Sequence, residues 1–242
     1  MRYAVFGDVH GNLEALEAVL EKIEKEQPDR YICVGDLVGY GADPVICIQK
    51  VCNLKNCMVV AGNHDFAAAG ILNTDFFNTY ASEAIRWTRQ QLSAEDLSYL
   101  QHLKLVANIN NITTTHSNLY LPEMFEYIQS SYDVRLGMDK LQTAVCFVGH
   151  SHIPVSFSFH RGVLDFSTEP FTRIERNGKY LVNVGSVGQP RDDNPLAAYA
   201  VYDEAEGVIW LKRTEYDIDK AVQKIRQAGL PEILAERLKY GR

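Results

Sequence analysis

Residues 2–36 read RYAVFGDVHGNLEALEAVLEKIEKEQPDRYICVGD and combine two apolar strands with an amphipathic helix. RYAVFG (2–7) and RYICVG (30–35) are apolar runs of strand length, which is typical of strands buried on both faces of a sheet. Between them, apolar residues recur at helical spacing over residues 12–27, and Pro28 ends the helix. The segment is therefore predicted to fold as a β-α-β unit.

The next segment repeats this alternation. Asp43-Pro44 starts a helix that runs to about Cys52, because Asp favours the N-cap and Pro the first turn. CMVVAG (57–62) is a third apolar strand. Strands that alternate with helices predict a mostly parallel sheet covered by helices.

The pattern changes after the third strand. Helical periodicity over about residues 66–102 predicts a small helical insert that lies over one end of the sheet. Strands are expected at about 104–108 and 111–115. A helical stretch over roughly 122–142 and a buried strand at 144–149 follow.

Short strands dominate the chain from Ile153 onwards, and they predict an antiparallel or mixed second sheet. Asn177-Gly178 is typical of a two-residue hairpin between two of these strands. Residues 216–240 predict two short C-terminal helices. The strands are expected at 154–160, 171–176, 179–185, 196–203 and 207–213.

Together these elements predict an α/β fold. Two mixed β-sheets would pack face to face with helices outside, as a four-layer α/β/β/α sandwich. The chain has no low-complexity tract, long linker or internal repeat. Residues 1–242 are therefore expected to form a single domain.

Composition narrows the function. The formal net charge of -7 argues against a polyanion-binding surface, which needs clustered Lys and Arg. No apolar run approaches membrane-spanning length, and the first ten residues lack the apolar core of a signal peptide. The chain has five cysteines and no C-x-x-C pair, which predicts reduced thiols and a cytoplasmic location.

Five polar clusters stand where a predicted strand ends and a loop begins. In open α/β sheets, ligands gather outside the carboxyl ends of the strands, so these clusters can converge in space. They supply carboxylates, one amide oxygen and several imidazoles, a donor set that suits Mn, Fe, Zn, Co or Ni. The clusters are Asp8-Val9-His10, Gly35-Asp36, Gly62-Asn63-His64-Asp65, His116 and Gly149-His150-Ser151-His152.

Taken singly, each cluster also has a structural explanation. Asp8 with His10 fits a loop acid beside a surface histidine, and Gly-Asp is an ordinary strand exit. The Gly-Asn-His-Asp cluster fits a turn that caps the following helix, and a lone histidine such as His116 is commonly structural. Two histidines directly after a buried strand are harder to explain by packing, and the set as a whole favours a metal site.

In their order along the chain, these clusters resemble those of the calcineurin-like metallophosphoesterases. NVGSVGQPRDDNP (183–195) and the C-terminal segment EYDID…AGLPEILAERL resemble a bacterial and archaeal subgroup of small metallophosphoesterases. The resemblance spans nearly the whole chain. It implies a pair of β-sheets flanked by helices and two divalent metal ions, which are Mn, Fe, Zn, Ni or Co.

The resemblance also implies a role for each polar residue. One ion would be bound by Asp8, His10, Asp36 and His152. The other would be bound by Asp36, Asn63, His116 and His150, so that Asp36 bridges the two. His64 would lie beside the ions and contact the phosphate or the leaving group. The implied catalytic residues are His64, Asp36 and Asn63.

The implied activity is hydrolysis of small phosphate esters, monoesters or diesters and nucleotides among them, by attack of a hydroxide that bridges the two ions. The expected partner is such a substrate, whereas a nucleic-acid polymer and a membrane are not expected. Two alternatives stay open. One is hydrolysis of dinucleoside polyphosphates, and the other is a non-catalytic binding module on the same fold, as in the retromer subunit. A homodimer is compatible with the sequence.

Three further residues are candidates for substrate binding. Arg191 could clamp a second phosphate, since its planar guanidinium suits phosphate, or it could form an ion pair with Asp192 or Asp193. Asn12 follows His10 closely and either reaches the substrate or caps the first helix. Tyr40 either lines the cleft or packs in the core.

Overall fold

The computed structural model describes residues 1–242, apart from the side chain of Phe76. Its strands are β1 (Arg2–Phe6), β2 (Arg30–Cys33), β3 (Cys57–Val59), β4 (Val106–Ile109), β5 (Ile112–Thr115), β6 (Val145–Val148), β7 (Val155–His160), β8 (Val163–Ser167), β9 (Phe171–Arg173), β10 (Lys179–Asn183), β11 (Ala197–Asp203) and β12 (Val208–Thr214). Its α-helices are α1 (Leu13–Lys25), α2 (Pro44–Cys52), α3 (Asn63–Ala68), α4 (Thr79–Gln91), α5 (Ala94–Gln101), α6 (Ser131–Lys140), α7 (Ile218–Gln227) and α8 (Glu232–Glu236). Short 3-10 helices lie at Thr74–Phe76, Pro122–Met124 and Arg237–Lys239.

The strands form two six-stranded sheets. The first has the order β3-β2-β1-β11-β12-β9, with β3, β2 and β1 parallel and the remaining pairs antiparallel. The second has the order β4-β5-β6-β10-β7-β8, with β5, β6 and β10 parallel. Both sheets are therefore mixed, and the predicted α/β class with two mixed sheets flanked by helices is confirmed.

Residues along β1 alternate between the two faces of the first sheet. Tyr3 and Val5 lie in the core between the sheets, together with Phe147 of the second sheet. Ala4 and Phe6 lie on the outer face, in the core that includes α1. This period of two is the geometry of an extended strand, and burial on both faces explains why RYAVF is apolar almost throughout.

Helices cover the outer face of each sheet. α1 packs its apolar stripe, which includes Leu16 and Val19, on the first sheet. α6 packs Val134 and Met138 against Leu181 of β10 on the second sheet. The order of layers is therefore helix, sheet, sheet, helix, as the sequence predicts.

The prediction that the strands after Ile153 form a sheet of their own is wrong. β11, β12 and β9 extend the first sheet, whereas β7 and β10 join β6 in the second. β11 is buried at all seven positions, so it needs a neighbouring strand on each edge and packing on each face. Its position between β1 and β12 provides both neighbouring strands. Periodicity identifies such a segment as a strand but does not specify its partner.

Two local predictions in this region are also wrong. Asn177-Gly178 is not the turn of a hairpin, because β9 before it lies in the first sheet and β10 after it lies in the second. The turn instead carries the chain between the sheets, and Asn177 adopts a φ of 65°. The edge strand β8 (Val163–Ser167) was not predicted, since its mostly exposed residues show little apolar patterning.

The helical stretch predicted over 122–142 is only partly correct. α6 occupies Ser131–Lys140, and a 3-10 helix occupies Pro122–Met124. Leu121 and Phe125, at φ of 85° and 51°, adopt left-handed backbone conformations that a right-handed helix cannot contain. The irregular segment places Phe125, which is buried, beside His116.

The C-terminal helices pack close to the end of the first sheet from which the polar clusters leave. Ile225 of α7, Leu234 of α8 and Leu238 form one apolar cluster with Tyr40. The tail therefore contacts the loop that follows β2. Among the described residues, no helix is long and apolar enough to cross a membrane.

Candidate metal centre

Each polar cluster follows the end of a strand. Asp8 follows β1, Asp36 follows β2, Asn63 follows β3, His116 follows β5 and His150 follows β6. The first two loops run side by side beyond the sheet, because the backbone N–H groups of Asp8 and His10 donate to the carbonyls of Gly35 and Asp36, both at 2.9 Å. The clusters therefore converge at one edge of the fold, as the sequence predicts.

Left-handed backbone is concentrated at this edge. Non-glycine residues seldom adopt positive φ, and each instance costs about 1 kcal/mol or more. Such strain persists where the surrounding structure enforces it, commonly at functional sites. Five of the predicted ligands have a positive φ: Asp8 (49°), His10 (50°), Asp36 (52°), His150 (68°) and His152 (62°).

The first group of side chains consists of Asp8, His10 and His152, all buried. His152 Nε2 lies 3.1 Å from Asp8 Oδ1 and 3.0 Å from His10 Nε2. His10 Nε2 also lies 3.6 Å from Asp36 Oδ2. Three ligand atoms therefore face one small volume, next to a carboxylate of the neighbouring group.

The second group consists of Asp36, His116 and His150, which are also buried. His116 Nε2 lies 3.3 Å from Asp36 Oδ2 and 3.2 Å from His150 Nδ1. The same oxygen of Asp36 thus lies within 4 Å of an imidazole nitrogen from each group. Asp36 stands between the groups, which is the position that a bridging carboxylate requires.

A third set of close ligand atoms overlaps the first two and brings in His64, together with His10 and Asp36. The ligand atoms within each of the three sets lie within 4.8 Å of one another. The His64 ring lies 4.8 Å from that of His10, between centroids, and its backbone N–H donates to Asp36 Oδ1 at 2.9 Å. His64 therefore lies next to both candidate groups.

Backbone carbonyls orient three of the imidazoles. His10 Nδ1 lies 3.1 Å from the carbonyl oxygen of Val38. His116 Nδ1 lies 2.7 Å from that of Val34, and His152 Nδ1 lies 2.6 Å from that of Gln189. A carbonyl accepts only from a protonated Nδ1. Each ring therefore presents Nε2 towards the carboxylates, which is the orientation of a histidine that binds a metal.

Burial and the carboxylates set the protonation of the rings. Burial lowers the pKa of His10 and His150 well below the usual value, and it lowers the pKa of His64 to about 4. Burial also disfavours a charge on His116, but the Asp36 carboxylate outweighs it and raises the pKa of His116 to about 9. The volume beside Asp36 therefore attracts positive charge, as a cation site must.

Asp65 fixes the loop that carries Asp36. Its carboxylate accepts the backbone N–H groups of Asp36 and Leu37, both at 2.8 Å, of Gly62 at 3.0 Å and of Val38 at 3.3 Å. Burial and the charge of Asp36 raise the pKa of Asp65 to about 7, whereas the N–H donors favour its ionised form. The sequence indicated only a helix cap here, and the contacts to the Asp36 loop could not be foreseen.

The side chains present fit divalent cations. Asn63 Oδ1 and His150 Nε2 are buried and have no hydrogen-bond partner among the described residues, although buried polar atoms are nearly always paired. The three sets of ligand atoms contain imidazoles and carboxylates and no thiol. Such oxygen and nitrogen donors suit Mn, Fe, Co, Ni or Zn.

Comparison with known proteins identifies the family to which the chain belongs. Residues 1–207 match the family model of the calcineurin-like phosphoesterase superfamily domain.

The chain belongs to the calcineurin-like phosphoesterase superfamily.

Two relatives match over nearly their full length. The chain is 41% identical to the uncharacterized protein MJ0912 of Methanocaldococcus jannaschii, over 99% of this chain and 98% of that protein. A metallophosphoesterase from Sphaerobacter thermophilus is 36% identical, with a TM-score of 0.87 over 100% of this chain and 99% of that one.

The same fold recurs at lower identity. The hypothetical protein PH1004 from Pyrococcus horikoshii is 21% identical, with a TM-score of 0.82 over 100% of this chain and 98% of that one. The predicted resemblance to bacterial and archaeal metallophosphoesterases is confirmed. This superfamily uses divalent metals, and the candidate groups described above match that chemistry.

The three residues predicted to bind substrate differ in their surroundings. Asn12 caps α1, because its Oδ1 accepts the N–H of Ala15 at 3.1 Å, and its Nδ2 donates to the carbonyl of Gly188 at 2.9 Å. The cap is thus confirmed, and both ends of the amide are engaged. Tyr40 is buried against His10 and His64, with ring centroids 4.6 and 4.4 Å apart.

Arg191 does not form either of the ion pairs that the sequence suggested. Asp192 pairs with Arg213, and Asp193 pairs with Arg242. Arg191 instead donates to Gln189 Oε1, from Nη2 at 2.8 Å and from Nε at 3.3 Å. Its guanidinium carbon lies 5.6 Å from the centre of the Tyr40 ring, so it stays near the site.

Sequence reasoning missed the aromatic side chains that pack on histidines of the candidate metal centre. The Tyr127 ring stacks on His150 with centroids 4.0 Å apart, and Phe77 meets the edge of His64 at 5.0 Å. Both aromatics lie in loops that were predicted as helical stretches. No periodic signal marks a loop residue that packs on a histidine, so only the folded structure identifies them.

Proposed function

We propose that this protein is a two-metal hydrolase of small phosphate esters. The observation that carries the proposal is the place of Asp36, whose Oδ2 lies 3.6 Å from His10 Nε2 and 3.3 Å from His116 Nε2. One carboxylate thus serves both groups of ligands. The residues proposed to hold the cations are Asp8, His10, Asp36, Asn63, His116, His150 and His152.

The bound cations would supply Lewis-acid stabilisation of the phosphoryl oxygens and an activated water. The protein contributes only two carboxylates to them, Asp8 and Asp36, and its other proposed ligands, one amide and four imidazoles, bind a cation in their neutral form. Two divalent cations bring four positive charges and the two carboxylates bring two negative ones. The site is then cationic, although the chain carries a net charge of -7. An anionic ester is therefore attracted to the site by local rather than overall charge.

His64 is proposed to act on the substrate. It is buried in contact with Tyr40 and Phe77, and its backbone N–H donates to Asp36. These two aromatic contacts restrict the orientation of the ring, so its N–H can be held towards a phosphoryl or leaving-group oxygen. A donor fixed in this way stabilises charge that develops in the transition state.

The surroundings of the centre support a small substrate. Tyr40, Phe77, Phe125 and Tyr127 all pack on imidazoles of the site. Helix α3, which carries Asn63 and His64, packs against α4 and α5. The full set of ligands argues against a non-catalytic binding module, and the acidic charge argues against a nuclease.

The test is turnover by protein reconstituted with Mn or Zn, measured on an aryl phosphate, a bis-aryl phosphate and a cyclic nucleotide. We expect metal-dependent hydrolysis of at least one of them, which Asp36→Asn abolishes. Hydrolysis that persists in metal-free protein would contradict the proposal. So would the absence of turnover on every substrate once two ions are shown to be bound.

A further inference from the structure

Backbone carbonyls orient three of the four candidate imidazole ligands, but not the fourth, His150. Its Nε2 has no hydrogen-bond partner among the described residues, and its Nδ1 lies 3.2 Å from His116 Nε2. A nitrogen whose lone pair binds a cation cannot also accept a hydrogen bond, so this contact is lost once His116 binds an ion. No hydrogen bond among the described residues then fixes the ring of His150.

The backbone of His150 is fixed more firmly than its ring. The backbone N–H lies 3.2 and 3.1 Å from the two carboxylate oxygens of Asp8 and donates to them. These bonds hold the main chain after β6 but leave the two side-chain torsions free. Another contact must therefore hold the imidazole in the orientation that a ligand requires.

Tyr127 makes that contact. Its ring lies almost parallel to the imidazole of His150, with centroids 4.0 Å apart and an angle of 23° between the planes. His150 is 6% exposed, whereas Tyr127 is 45% exposed, so the phenol ring covers the imidazole on its solvent side. Rotation of the imidazole would break the parallel contact or force the two rings into each other, and the stack therefore opposes it.

The segment that carries Tyr127 is held on both sides of this residue. Phe125 is buried, and its ring centroid lies 6.0 Å from those of Phe66 and His116. Ile128 packs against the apolar cluster between α6 and the second sheet. With an anchored residue before it and another directly after it, Tyr127 has a defined place although its ring is exposed.

The contact of Tyr127 is confined to one group of ligands. Among the described aromatic rings, His150 is the only one that lies within stacking distance of Tyr127. The rings of His10 and His152 contact each other, and His10 also contacts Tyr40. Loss of the Tyr127 ring should therefore act on the group that contains His150 and leave the other group unchanged.

We propose that Tyr127 is a positioning residue for the second group of ligands, Asp36, Asn63, His116 and His150. Its ring holds the imidazole of His150 by stacking, which is the task that backbone carbonyls perform for the other three imidazoles. Fixing a ligand before the ion arrives strengthens binding, as other groups that orient a metal-binding histidine do. This inference rests on the proposed function, because it assumes that His150 binds a cation.

The experiment is a calorimetric titration of metal-free, full-length protein with Mn, in wild type, Tyr127→Leu and Tyr127→Phe. Leucine keeps an apolar side chain but removes the ring. We expect Tyr127→Leu to weaken one of the two ions about threefold to tenfold, because a stacked pair is lost, and to change the other by less than about twofold. Tyr127→Phe keeps the ring and should bind both ions as wild type does.

Tyr132→Leu is the matched control, since it removes a tyrosine that is 66% exposed and lies in α6, a few residues further along the chain. It should leave both affinities unchanged. His150→Ala identifies the ion that belongs to the second group. In protein that already carries His150→Ala, Tyr127→Leu should change the remaining affinity by less than about twofold, because the stack no longer exists.

Three results would overturn the positioning role of Tyr127. They are an equal loss of affinity for both ions in Tyr127→Leu, no loss for either ion, and a Tyr127→Phe variant that binds as weakly as Tyr127→Leu. A wild-type protein that binds two ions but hydrolyses no ester would instead overturn the proposed function and leave the role of Tyr127 intact.

Discussion

Asp65 Oδ2 accepts the backbone N–H of Asp36 at 2.8 Å. The Asp65 carboxylate accepts three further backbone N–H groups and belongs to none of the ligand sets. It thereby fixes the loop of Asp36, the residue that stands between the two groups of candidate metal ligands. The geometry of the centre thus depends on Asp65, a positioning residue, as well as on the candidate ligands themselves.

Asp65→Asn should destabilise the protein and weaken metal binding. The amide offers one acceptor oxygen instead of two and turns an NH2 group towards backbone N–H donors, so buried donors lose their partner. We expect the free energy of unfolding to fall by about 2 kcal/mol. Urea unfolding and metal titration measure the two effects.

The control for this change is Asp133→Asn. Asp133 also accepts backbone N–H groups, from Gln129 and Ser130, but it does so on the surface at the start of α6. It should lower stability by about 1 kcal/mol or less and leave metal affinity unchanged. Unaltered metal affinity in Asp65→Asn would show that the Asp36 loop holds its shape without this carboxylate.

Gly62→Ala should be among the most damaging small substitutions in the chain. A Cβ at Gly62 would overlap Asp36 Oδ1 and lie 2.5 Å from the backbone nitrogen of Asp36. Because the backbone cannot yield as a flexible side chain does, we expect a loss of about 3 kcal/mol in stability. Thermal unfolding of metal-free protein measures it without interference from bound ions.

Gly162→Ala separates steric overlap from backbone strain. Gly162 has a φ of 81° and open space around its Cα, so an added methyl group meets strain alone. Its cost should be about 1 kcal/mol. If the two alanine variants were equally stable, close approach of the loops after β2 and β3 would not be the reason for glycine at position 62.

His64→Ala should slow hydrolysis while metal content stays near wild type. The ring lies beside the centre and is proposed to donate to the substrate, and loss of such a group commonly costs about 100-fold or more in kcat. Steady-state kinetics and elemental analysis of the same sample provide both values. The control is His160→Ala. His160 is the last residue of β7, and it pairs with Glu175 rather than with a residue of the metal groups.

The set formed by His10, Asp36 and His64 makes this test informative in both directions. Loss of one ion from His64→Ala would identify His64 as a ligand rather than a donor to substrate. The proposed role would then be wrong, although the superfamily assignment would stand.

Lys224→Gln should loosen the C-terminal tail. Lys224 Nζ lies 2.6 Å from Oε1 of the buried Glu14 and 2.8 Å from Asp43 Oδ2, so it joins α7 to α1 and to the start of α2. Burial disfavours its charge, but these two carboxylates outweigh it and raise the pKa of Lys224. We expect a loss of about 2 kcal/mol, because Glu14 keeps only its contact with Lys220.

Arg226→Gln provides the comparison, since its pair with Glu232 lies on the surface, where solvent and salt screen the charges. Urea unfolding compares the two variants, and limited proteolysis shows whether the tail is released. Equal stabilities would mean that the apolar contacts of α7 and α8 alone hold the tail in place.

The sequence predicts the site more completely than it predicts the sheets. Asp8, Asp36 and His150 each follow an apolar strand directly, so a local pattern is enough to place them at strand ends. β11 is as recognisable as β1, but its position between β1 and β12 depends on contacts distant in sequence. Strand pairing of this kind is not encoded in periodicity.

The same reason explains which functional residues were missed. Asp65 acts on Asp36 through bonds between two loops, and Tyr127 stacks on His150 from a segment that is distant in sequence. Neither residue stands out in its own segment. Each depends on where another part of the chain comes to lie.

The most direct test of the account is the number of metal ions bound per chain in wild type, Asp8→Asn and Asp36→Asn, measured by elemental analysis after reconstitution with Mn. If Asp36 bridges two ions and Asp8 binds one, wild type should hold two, Asp8→Asn about one and Asp36→Asn close to none. Two ions retained by Asp36→Asn would contradict the bridging role on which the proposed chemistry depends.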